Sequence, residues 1–101
     1  MTNSEYIQPD SAALTSWRRT LHRCPELGFA LGETAGFIEK QLRGMGIETH
    51  GSIAQSGVVG VLRKGSSDKA IGLRADMDAL KIHERNTFEY RSKTDGHMHA
   101  C

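Results

Sequence analysis

Long apolar runs are missing from this chain, and no stretch approaches the roughly 20 residues that a bilayer-spanning helix requires. No membrane association is therefore expected. An excess of one charge is also missing. Thirteen Lys and Arg stand against twelve Asp and Glu, for a formal net charge of +1 with both signs interspersed. Nothing in that balance recommends nucleic acid as a partner. Aromatics are scarce, at six, so any core must rest on Leu, Ile, Val, Ala and Met. The opening Met1-Thr2-Asn3-Ser4-Glu5-Tyr6 has neither a basic region nor a hydrophobic one of the secretory kind, and a cytoplasmic location is expected. Two cysteines, Cys24 and Cys101, make no disulfide framework, and reduced thiols or a metal role remain for them.

What is present reads as an α/β opening. Residues 1 to 9 are an irregular lead-in. Asp10 or Ser11 can cap a helix whose apolar positions Leu14, Trp17, Leu21 and Cys24 recur every three or four residues, until Pro25 ends it. A second helix is expected from about Gly32 to Met45, with Phe37, Ile38, Gln41, Leu42 and Met45 on one stripe and Glu33 in the first turn. Gly46 is placed to take the left-handed position that closes it, with Ile47 as the hydrophobic contact. The period then shortens. Val58-Val59-Gly60-Val61-Leu62-Arg63 and Ala70-Ile71-Gly72-Leu73-Arg74-Ala75 read as two strands of an antiparallel hairpin joined by a polar turn. Two strands leave sheet edges to be covered, so the sheet is expected to be incomplete. Residues 84 to 101 are polar and cannot pack a core unaided.

Two stretches can carry chemistry. Asp76 and Asp78 stand two apart just past the second expected strand, where α/β proteins commonly build sites, and in extended structure both face one pocket. The plainer reading has Asp76 capping a turn and Asp78 solvated or paired with Arg74. His97, His99 and Cys101 follow at the same spacing, so an extended segment presents all three on one side. Imidazole and thiolate suit zinc and its neighbours. Either the tail is a metal clip, serving a small metal- or protein-binding module, or it is one part of a larger metal site. His22, on the first helix, reads as a partly buried, hydrogen-bonded residue.

Taken together, three motifs resemble one family. Arg19-Thr20-Leu21-His22-Arg23-Cys24-Pro25-Glu26-Leu27-Gly28-Phe29 is similar to the opening motif of M20-type metallopeptidases and amidohydrolases. Gly72-Leu73-Arg74-Ala75-Asp76-Met77-Asp78-Ala79-Leu80 and Gly96-His97-Met98-His99-Ala100-Cys101 match further motifs of the hippurate hydrolase and N-acyl-amino-acid amidohydrolase branch. Lys81 departs from the pattern, because the family usually has proline there.

The resemblance implies that residues 1–101 form the N-terminal part of a zinc-peptidase-like catalytic domain, cut at the first metal-ligand motif and without the lid domain that governs oligomeric state. It implies hydrolysis of the amide bond of N-acyl or N-aroyl amino acids, small-molecule substrates, by the complete enzyme. Two divalent metals (Zn, Mn, Co or Ni) would polarise the scissile carbonyl and lower the pKa of a water. Cys101 inherits the role of a metal ligand, Asp78 that of the carboxylate supporting the metal centre, and His99 a supporting or structural place. The general base falls outside these residues. The isolated chain is then expected to be inactive and poorly stable.

Overall fold

The computed structural model describes residues 8–101, so most of the expected lead-in lies outside the described residues. Helix α1 spans Ser11–Arg23, helix α2 Gly32–Gly44, strand β1 Glu48–Ile53 and strand β2 Gly57–Val61. Both helices stand where their apolar spacing puts them. Asp10 caps α1, its Oδ1 accepting from Ala13 N–H at 3.0 Å. Such a cap contributes on the order of 1 kcal/mol by satisfying a helix-end donor. At the other end of α2, Gly46 takes φ +76°. Gly46 N–H donates to Arg43 O at 3.0 Å and Ile47 N–H to Leu42 O at 3.1 Å, the paired bonds of a Schellman closure.

The N-terminus of α2 has a cap that its own neighbours do not provide. Leu31 stands at the cap position and has no capping side chain. The Glu26 carboxylate reaches over instead, accepting from Thr34 N–H at 2.6 Å and Glu33 N–H at 3.3 Å. Burial pushes the Glu26 carboxyl up, but the hydrogen bonds from Thr34 and Glu33 outweigh it and hold the group below its ordinary value. The two helices are also joined directly by Trp17 Nε1, which donates to Gln41 Oε1 at 3.2 Å.

The hairpin exists, but with a different partner strand from the one expected. β2 overlaps the expected run at 58 to 63, yet it pairs antiparallel with β1, through Glu48↔Val61, Thr49↔Gly60 and His50↔Val59. Residues 70–75 form no strand. β1 reads Glu-Thr-His-Gly-Ser-Ile, too polar to register as a strand, and its turn lacks an Asn-Gly or Asp-Gly signature. The turn is made through left-handed backbone at Ser52, Ala54 and Gln55, with a bulge between His50 and Ile53. A partner only a few residues away closes a short loop at little entropic cost, and the other edge of β2 stays open. α2 packs on this hairpin. Gly60 permits it, since Leu42 Cδ1 and Ile47 Cγ2 lie 3.3 Å from where its Cβ would stand.

The core is thin, as two helices and two strands allow. Leu31, Ala35 and Ala79 are the buried apolar residues among those described, and no large side chain is fully buried. The displaced run is nearly bare, with Ile71 91% and Leu73 96% exposed and Leu62 79% exposed before it. An extended apolar segment with no ladder partner is a ready template for association. The chain should therefore bind a hydrophobic dye and self-associate as concentration rises. Paired Ile71→Ser and Leu73→Ser changes should remove most of both effects, measured by dye fluorescence and light scattering.

Candidate functional site

Two of the motif segments, distant in sequence, meet edge to edge. Leu80 N–H donates to Met98 O and Met98 N–H to Leu80 O, each at 3.0 Å, a reciprocal antiparallel pair. One residue earlier, buried Ala79 donates its N–H to Glu26 O at 2.7 Å. The Asp76–Leu80 segment is thus pinned on one side to the cap residue of α2 and on the other to the His97–Cys101 segment.

A cavity of about 340 Å³ opens beside this junction. Asp76, Met77, His99 and Cys101 line it from the two segments, Arg18 and His22 from α1, and Thr34 and Ile38 from α2. A second cavity, on the β-turn side, is lined by both Asp76 and Asp78 together with Arg74. The two aspartates share that pocket as their spacing requires, and Asp76 borders both cavities. Its Oδ1 accepts from Arg74 Nη2 at 2.6 Å. Both side chains are largely exposed, so the pair is worth little. Of the two aspartates, Asp76 rather than Asp78 takes the Arg74 partner.

His99 is the unusual group here. Its Nε2 is buried without a hydrogen-bond partner. Burial chiefly lowers its pKa, repulsion from His22 adds to that, and the Asp78 carboxylate partly opposes both. A neutral imidazole with a free nitrogen follows, beside the Cys101 thiol. His97 does not line this cavity. Among the described residues no three His, Cys, Asp or Glu side chains converge in a group able to hold a metal. The three-ligand tail clip is therefore not assembled, and what stands in the cavity is a soft donor pair.

The lining of α1 leads to a carboxylate that sequence reasoning passed over as loop. His22 Nε2 donates to both Glu84 oxygens at 3.0 Å, and the two side chains are 11% and 3% exposed. His22 is the partly buried, hydrogen-bonded residue expected. Glu84 also accepts from Ser92 N–H at 2.6 Å and Asn86 Nδ2 at 3.0 Å. Phe88 and Tyr90 stack at 4.0 Å and meet the His22 ring edge-on, while the Arg19 guanidinium lies 4.4 Å from the Tyr90 centroid. No local pattern around Glu84-Arg85-Asn86 announces this, because every partner except Asn86 is distant in sequence.

At Lys81 the chain turns without the expected proline. Ile82 N–H donates to Leu80 O at 2.9 Å, closing a tight turn centred on Lys81. The Lys81 N–H makes no hydrogen bond among the described residues. Lys81→Pro should therefore be accepted, raising the midpoint of denaturant unfolding rather than lowering it. A second expectation follows from Glu84. Burial alone would raise its carboxyl, but Ser92, His22 and Asn86 hydrogen bonds overcome that and pull it from 4.5 down to about 2. A depressed folded value means the contribution is fully present above pH 4.5 and is lost as pH falls toward 2. The near-ultraviolet circular dichroism of Phe88 and Tyr90 should fade across that window, and Glu84→Gln should flatten the change.

No family model matches the sequence. Individual relatives do. Hippurate hydrolase of Campylobacter jejuni is 50% identical over 84 residues, covering 83% of this chain and 22% of that enzyme. The N-acyl-L-amino acid amidohydrolase of Geobacillus stearothermophilus is 42% identical over 86 residues, covering 85% of this chain and 23% of that enzyme. Among solved structures, a dinuclear metal-binding peptidase of the M20 family from Bacillus subtilis superposes with a TM-score of 0.84 at 37% identity, over 89% of this chain and 26% of that one. The chain thus spans about a quarter of the length of the relatives it matches. Three motifs in order, identity over most of the chain and a shared backbone course agree: over the quarter that it spans, the chain is similar in sequence and in fold to metallopeptidases and amidohydrolases of the M20 type.

Proposed function

We propose that these residues are the N-terminal part of the catalytic domain of a metal-dependent amidohydrolase that cleaves N-acyl or N-aroyl amino acids in the cytoplasm. The observation that carries this reading is the Leu80–Met98 pairing, which sets the aspartate motif and the Cys101 motif side by side at one cavity. The relatives named for hippurate and N-acyl-amino-acid hydrolysis, and the dinuclear metal site of the Bacillus subtilis peptidase, support the chemistry. No helix among the described residues is long and apolar enough to cross a membrane.

The donors present fit part of a transition-metal site. Cys101 offers a thiolate and His99 a neutral imidazole nitrogen without a partner, a set suited to zinc, manganese, cobalt or nickel in differing degree. Such an ion, when bound, polarises a carbonyl and makes water a better nucleophile near neutral pH. In this assignment Cys101 is the ligand. Asp78 acts on the site through its charge, felt at His99, and through the adjoining cavity that it lines. Asp76 borders both cavities, its carboxylate in an exposed ion pair with Arg74. With the donor set incomplete, these 101 residues alone bind metal weakly and do not turn over substrate.

Calorimetric titration of the chain with zinc and manganese, alongside a hippurate hydrolysis assay, tests the reading. Weak binding that Cys101→Ser abolishes, with no hydrolysis, is the expected result. Tight stoichiometric binding requiring His97, His99 and Cys101 together would favour a stand-alone metal module, and turnover by this chain alone would overturn the assignment. In an enzyme extending over its relatives' full length, Asp78→Asn should lower metal affinity or kcat by about 10- to 100-fold, the usual effect of removing a supporting carboxylate.

A further inference from the structure

The geometry points to Glu84 as a positioning residue: its carboxylate is a clasp that holds the loop between residues 80 and 98 closed and docked on α1, and so fixes where the His97–Cys101 segment stands. That this segment carries metal rests on the function proposed above; that Glu84 places it does not.

The loop leaves the Asp76–Leu80 segment at Leu80 and returns at Met98, and the reciprocal backbone pair between those residues is its outer closure. A single residue pair is a weak device for closing so long a polar loop, because the ends must be held against the entropy of everything between them. Glu84 supplies an inner closure. It stands four residues after Leu80 and accepts from Ser92 N–H at 2.6 Å, on the returning limb. The same carboxylate accepts a hydrogen bond from His22 Nε2, so the closed loop is fastened to α1. Lys93 N–H donates to Arg23 O at 2.8 Å as a second tie, at the residues next to Ser92 and His22. The aromatic pair Phe88 and Tyr90 fills the space between loop and helix, against the His22 ring and the Arg19 guanidinium.

Three donors on one buried carboxylate make Glu84 the point where loop closure and loop docking coincide. Charged hydrogen bonds of this kind are stronger than neutral ones, and an apolar replacement leaves Ser92 N–H and His22 Nε2 without their acceptor. His22 in turn lines the cavity that His99 and Cys101 share. Losing Glu84 therefore frees both the returning limb and one wall of the cavity.

Amide hydrogen exchange on the full 101-residue chain at neutral pH decides the matter, comparing wild type, Glu84→Gln, Glu84→Ala and, as an exposed-carboxylate control, Glu48→Gln. Leu80 and Met98 amides should exchange at least about tenfold faster in Glu84→Ala, as loss of charged hydrogen bonds requires. The isosteric Glu84→Gln keeps an acceptor for Ser92 and should retain much of the protection, while Glu48→Gln changes nothing. Helix amides of α1 and α2 should move far less than those two. Unchanged protection at Leu80 and Met98 would overturn the clasp. So would helix amides that loosen equally, which marks a general contribution to stability, or the absence of protection at Leu80 and Met98 in wild type. A cobalt(II) titration on the same samples separates the two ideas. At cobalt concentrations high enough to saturate a weak site, absence of a thiolate–cobalt band from Cys101 removes the metal reading, while the amides still decide the clasp.

Discussion

The reciprocal backbone pair between Leu80 and Met98 is the constraint on which the rest of this site depends. Asp76, Asp78, His99 and Cys101 all lie on the two segments that it joins. Without it, Asp76 and Asp78 would sit on one exposed strip of backbone and His99 and Cys101 on another. Two hydrogen bonds are modest in themselves, roughly 1 kcal/mol each in net terms. They matter because they are made where other elements already hold the chain: Glu26 O takes the Ala79 N–H, and Glu84 gathers the loop beyond.

Two carboxylates, a half-buried one at Glu26 and the Glu84 group beside α1, organise this small structure alongside its thin apolar core. Glu26 caps α2 with its side chain and anchors Ala79 with its backbone. Glu84 ties a loop to α1. In both, hydrogen bonds outweigh burial and keep the group ionised, the balance required of a carboxylate withdrawn from water. A core of Leu31, Ala35 and Ala79 is too small to do this alone, and the exposed Ile71 and Leu73 show how much apolar surface remains without a partner. A chain spanning a quarter of its relatives' length leaves the contacts of that surface to the proposal that it is part of a larger sheet-containing domain.

Much of the helical architecture was legible in the residues. Leu14, Trp17 and Leu21 announced α1, and Gly46 with Ile47 announced the closure of α2, because capping and amphipathic spacing act over three or four residues. The hairpin was legible in kind, though its partner strand was not. The β-branched and aliphatic character that made 70–75 look like a strand measures fitness for a buried sheet position, and pairing instead went to a polar neighbour close in sequence. His22 was rightly read as hydrogen-bonded, yet nothing nearby named Glu84, 62 residues away, as its acceptor.

The sequence by itself determined the helices, their ends, the resemblance to the M20-type proteins and the two stretches where chemistry is concentrated. Each of these is a local pattern or an ordered set of motifs, and both are written in the order of residues. Tertiary structure alone decided that the two stretches meet, that Asp76 rather than Asp78 takes Arg74, that His99 keeps a free buried nitrogen, and that Glu84 closes the loop between them. Those outcomes depend on burial and on donors and acceptors brought together across long loops. No spacing rule encodes such distances, because the cost of closing a loop is met by the whole set of contacts at its ends.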